Sequence, residues 1–142
     1  MQYVEVELLE QNKKGEEVAK THKLAIGTKE TVQLEKVLGT DIMGQYLSYM
    51  FELIKIQDKV EKGEITEEEA QGVLHVINSL PMEYISEILF RALGKYDAKM
   101  TMDKTYDFID NYIEQKAEGK LGLIGLIGEI FVNAGFMKGL GN

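Results

Sequence analysis

The chain predicts an α+β fold: a single, mainly helical domain with an N-terminal β-hairpin. Three observations carry that expectation. The first residues alternate apolar and polar with the period of a strand, the later stretches repeat apolar residues at helical spacing, and capping and stop residues punctuate those stretches. At 142 residues the chain is long enough to bury a core, and with one proline, no internal repeat and no low-complexity tract it shows no interdomain linker.

The opening "YVEVELLE" sets Val4, Val6 and Leu8 against Glu5, Glu7 and Leu9, a strand with one wet face. "QNKKGEE" (Gln11 to Glu17) is polar and turn-like, and "VAKTHKLAIG" returns as a second strand. The hairpin therefore takes residues 1–27. Two strands alone are marginal in water, so they must lie on the helices expected over 28–135.

The first of these, "TKETVQLEKVLGT", is short and stops at Gly39. Thr40 can cap a longer helix running to about Lys62, with Met43, Leu47, Met50 and Ile54 on one stripe. Thr66 with Glu69 three residues on forms a capping-box pattern for the next. Pro81 suits the first turn of "PMEYISEILFRALGK". Thr101 caps "MDKTYDFIDNYIEQK", with Met102, Tyr106, Ile109 and Ile113 as its apolar stripe and Gly119 as its end. A last helix begins near Lys120 and stops at Gly135, leaving 136–142 as a flexible tail.

Composition narrows the function classes. A net charge of −8 and a pI near 4.8 oppose nonspecific binding to nucleic acid or to anionic membrane, which needs concentrated Lys and Arg. No cysteine is present, which excludes thiol catalysis and thiolate metal sites. His22 and His75 sit among apolar residues without carboxylates at ligand spacing, and HExxH, GxSxG and Walker-type motifs are absent. The expectation is a protein without catalytic site, cofactor or metal. "MQYVEVELLE" lacks a basic region followed by an apolar run, so the expected compartment is the cytoplasm.

Two features invite a binding role. Asp103, Asp107, Asp110 and Glu114 line up as an acidic stripe, read first as a solvated face and second as a dock for a basic segment. The other is the ending "GKLGLIGLIGEIFVNAGFMKGLGN". Leu121 to Met137 is too short, and with Glu129 and Asn133 too polar, for the roughly 20 apolar residues of a membrane span. On a helical wheel Leu123, Ile124, Leu126, Ile127, Ile130 and Phe131 fall within an arc of roughly 160°, with Gly122, Gly125 and Gly128 mostly outside it. Each glycine weakens the helix by about 0.8–1 kcal/mol against Ala, so this helix depends on packing. A core helix is the first reading and a surface for an apolar partner the second. Leu123, Ile127, Ile130 and Phe131 are its candidate anchor or partner-binding residues; Phe136 and Met137, beyond Gly135, are the residues expected to stay available to a partner.

Three stretches together resemble a known family. "QLEKVLGTDIMG" (Gln33 to Gly44), "LPMEYISEILFRALGKYDAKMTMDKTYDFIDNYIEQ" (Leu80 to Gln115) and "LIGEIFVNAGFMKG" are similar, in that order, to the "LExxLG" element, the central block and the final helix of tail assembly chaperones of long-tailed bacteriophages, particularly those of Gram-positive hosts. Ser48 to Ser79 departs from them by its length. The resemblance implies a non-enzymatic protein of the host cytoplasm that binds the helical tape measure protein before the tail tube polymerises. It also implies a frameshift-extended form that contacts the tail tube protein; a chaperone would be absent from the mature virion, and apolar surface that the tape measure would otherwise cover is expected to make the free protein a homo-oligomer. The rival readings are a structural virion component, such as a connector or tail-completion protein, and a lytic or fusion-like membrane peptide on a soluble domain.

Overall fold

A computed structural model describes residues 2–39, 42–116 and 119–135. In chain order these form β1 (Val4–Gln11), β2 (Glu17–Leu24), α1 (Thr28–Leu38), α2 (Ile42–Glu61), α3 (Glu67–Ser79), α4 (Met82–Gly94), α5 (Met102–Gln115) and α6 (Gly119–Ala134). The architecture is α+β and mainly helical, with the hairpin at the N-terminus.

The hairpin follows from its alternation. Val4, Val6 and Leu8 are buried while Glu5, Glu7 and Leu9 face out. β1 and β2 pair antiparallel from Val4 opposite Leu24 to Gln11 opposite Glu17. The turn is tied by Gly15 N–H donating to the Asn12 carbonyl at 3.0 Å, and Gly15 takes φ 78°, a conformation that favours glycine. The Asn12 side chain accepts from the Lys14 and Glu16 amides, 2.9 Å each, which fixes the loop from inside.

Local caps set several helix ends. Gly39, at φ 101°, closes α1 by donating to the Glu35 carbonyl at 3.0 Å. Thr66 accepts from the Glu69 amide at 3.1 Å, and the Glu69 carboxylate accepts from the Thr66 amide, completing the capping box of α3. Thr101 accepts from the Lys104 amide at 3.1 Å to start α5. Pro81 is the N-cap of α4 instead of lying in its first turn, one position from the expectation. Gly135, at φ 84°, follows the end of α6. Thr40 lies outside the described residues.

The structure corrects two expectations for α5. Its helix ends at Gln115 with Lys116 as cap, and Gly119, at φ 65°, opens α6 instead of closing α5. Its buried side is also rotated: Thr105, Phe108 and Ile109 are buried, while Tyr106 is 49% exposed. Thr105 tolerates burial because its hydroxyl donates to the Thr101 carbonyl at 2.9 Å.

α4 is the hub. Ile85, Ile88, Leu89, Ala92 and Leu93 are buried, and the helix touches α1, α5, α6 and β2. α5 and α6 also meet β1, so the apolar face of the hairpin joins the same core as Leu34, Phe108 and the α6 side chains. Fully burying a Leu, Ile or Phe stabilises by about 1.5–3 kcal/mol each, which is what the short hairpin and the glycine-weakened α6 need.

A partly buried ion pair lies at the edge of this core. Glu30, 5% exposed, accepts from the Gly27 amide at 2.8 Å and from Lys95 Nζ at 3.0 Å, tying the start of α1 to the residue after α4. Burial pushes the Glu30 carboxyl up, but the Gly27 hydrogen bond and the Lys95 ammonium outweigh it and hold it below its ordinary value. A carboxylate depressed in the folded state contributes stability above its unfolded pKa and loses it as pH falls through the folded value. Glu30→Gln is therefore expected to cost about 1–2 kcal/mol at neutral pH. The variant should also show a flatter loss of stability into acid, read from urea midpoints across a pH series.

Candidate partner-binding surface

The glycine-spaced ending resolves into a core helix. Leu123, Ile127, Ile130 and Phe131 are each fully buried in α6, with Ile124 and Leu126 beside them. Gly125 is exposed, and a side chain there would meet nothing within 4 Å, so that glycine admits no neighbouring element. Leu121 and Val132, off the main arc, are exposed apolar residues of this helix. The four anchor residues are covered by the chain's own residues, so a partner could reach them only if α6 repacked. Phe136 and Met137 lie outside the described residues.

Apolar surface is open instead on α2 and α3. The two helices meet and are joined through Gly63, whose φ of 68° makes the turn, with Glu64 N–H donating to the Lys59 carbonyl at 2.8 Å. Lys59 and Glu69 form an ion pair across them, and the Lys59 ammonium holds the Glu69 carboxyl below its ordinary range. Beside that pair runs an open groove of about 570 Å³, lined by Ile56, Gly72, Glu52, Lys55, Asp58 and the paired Lys59 and Glu69. Its surface is mostly apolar, and charged groups stand along it. Nearby on the same helices, Val60 is 52% and Leu74 59% exposed. Among their described residues only Tyr49, Leu53 and Val73 pack against the main core, each partly buried.

Sequence reasoning missed this groove. The stripe it singled out, Met43, Leu47, Met50 and Ile54, has side chains outside the described residues, whereas Tyr49, Leu53 and Ile56 recur at i, i+4 and i+7 on a neighbouring face. That second spacing was the available signal. A helix apolar on two faces has more to bury than one core can cover.

The polar candidates resolve differently. His22 is buried, with Nε2 2.7 Å from Glu10 Oε2 and its ring edge-on to Phe108 at 5.0 Å, which gives it a packing role. His75 is exposed on α3. Asp103, Asp107, Asp110 and Glu114 are all exposed along α5. Among the described residues no three His, Asp or Glu side chains are placed to share a metal ion, and no helix is long and apolar enough to cross a membrane. The "LExxLG" residues also have structural explanations: Leu34 is fully buried, Leu38 packs against the core and Gly39 ends the helix. Comparison with protein-family models, curated proteins and solved structures finds no match to this chain.

Proposed function

We propose that the protein is a non-enzymatic phage tail assembly chaperone that covers apolar helical surface of the tape measure protein in the host cytoplasm and is absent from the finished virion. The observation that carries the reading is the α2–α3 groove: an open cleft with a mostly apolar surface, Ile56 on its wall and charged residues around it, beside the exposed Val60 and Leu74. An amphipathic helix laid in such a groove buries its i, i+3, i+4 and i+7 anchors while its polar face stays wet. Burial is worth roughly 25 cal/mol per Å² before the costs of association, so the chemistry is coverage and not bond making. The order of the three family-like stretches supports the same reading. A frameshift-extended form would add a contact to the tail tube protein beyond Gly135.

Co-expression with the tape measure protein tests it. The tape measure should stay soluble and co-purify with the chaperone, while particles purified after assembly should lack this chain. Ile56→Asp places a charge in the groove, and Gly72→Phe fills it from a position where an added side chain meets nothing within 4 Å. Both variants are expected to weaken the complex by roughly tenfold or more, with little change in unfolding midpoint. Equal co-purification of both variants would remove the groove from the account, and the chain's presence in finished particles would favour a structural virion component.

A further inference from the structure

The two-stranded sheet has two outer edges, and the fold treats them differently. On β1, Leu9 N–H donates to Gln115 Oε1 at 2.8 Å and Gln115 Nε2 donates to the Leu9 carbonyl at 2.9 Å. An amide side chain from α5 thus stands where a neighbouring strand would. This contact also shows which main-chain groups face outward. Leu9 turns its groups away from β2, so in an antiparallel ladder its partner Ala19 turns its own away from β1. Alternation assigns the same orientation to Thr21 and Lys23, opposite Glu7 and Glu5, and to Glu17, opposite Gln11. The Asn12 amide bond to the Glu16 carbonyl, at 2.8 Å, keeps the same alternation at the turn. Ala19, Thr21 and Lys23 are exposed, and among the described residues their main-chain groups form no hydrogen bond outside the hairpin. Among the described residues the β2 edge is thus open from Glu17 to Lys23; at the next outward position the Ala25 amide donates to the Ala92 carbonyl of α4 at 3.3 Å.

We propose that a second copy of this chain adds to that edge, β2 against β2 and antiparallel, making one four-stranded sheet across the two copies. Charge selects this occupant. β2 carries Glu17 at one end and Lys23 at the other, so a two-fold turn sets each copy's Glu17 opposite the other copy's Lys23. Ala19 then faces Thr21 of the other copy, and every outward-facing residue meets one whose groups also face outward. Lys20 falls on the two-fold axis, opposite itself. That like-charge contact weakens the pair and, with Lys23, discourages indiscriminate strand addition. The proposal does not rest on the chaperone reading and uses none of the groove residues.

Sedimentation of the full chain over a concentration series tests it, with urea midpoints as a check on folding. The unaltered protein should form dimers. Glu17→Lys and Lys23→Glu should each weaken dimerisation on the order of tenfold, because each reversal breaks two symmetry-related pairs. The double reversal should restore it, and Lys20→Thr should tighten it. A monomer at every concentration overturns the proposal. So does an oligomer indifferent to all four changes, which would place self-association on another surface.

Discussion

Replacing Phe131 by Ala is expected to lower stability by about 3–5 kcal/mol, measured as the loss in unfolding free energy from urea denaturation. Phe131 is fully buried near the end of α6, in the same core as Leu123, Ile127 and Ile130. The surrounding helices cannot close over the volume removed, because α6 is held between β1, α4 and α5. The helix itself offers little compensation, since its glycines leave it dependent on that packing. The proposed binding to the tape measure protein should be lost only in proportion to the fraction unfolded. A Phe131→Ala protein that unfolds normally yet loses its partner would make α6 the binding surface.

Leu89→Ala in α4 is expected to cost about 2–5 kcal/mol. Leu89 is fully buried on the helix that touches α1, α5, α6 and the hairpin, so the cavity opens where most elements meet. The unfolding transition should remain single, because the hairpin and the core helices share one cluster and have no separate core to retain. A second transition, with the hairpin or α5 surviving the first, would show that α4 is not the hub.

Much of this fold was legible because its signals are local. The Val4, Val6 and Leu8 alternation fixed the buried face of β1, and the Thr66, Thr101, Gly39 and Gly135 positions follow from side-chain or glycine geometry within one turn of the chain. The α6 arc was legible because six large apolar residues share one side of the wheel. Rotation of α5 was not, because Thr105 and Tyr106 are both amphipathic and only a neighbour decides which is covered. Glu10 and His22 were not seen as a pair either: Glu10 is opposite Val18 and His22 opposite Val6, so their 2.7 Å contact needs the twisted hairpin and side-chain reach. The groove depends on how α2 and α3 pair, a tertiary property that the Lys59 and Glu69 spacing does not announce. The Gln115 bridge to Leu9 joins positions too far apart in the chain for any local pattern.

In the proposed complex α2 and α3 receive an apolar helix while α6 stays in the core. Amide hydrogen exchange, comparing the free protein with its complex with the tape measure protein, tests this most directly. New protection is expected in α2 and α3, around Ile56 and Gly72, with the Leu123 to Phe131 segment already protected in the free protein and unchanged on binding. New protection confined to α6, with α2 and α3 exchanging as before, would contradict it.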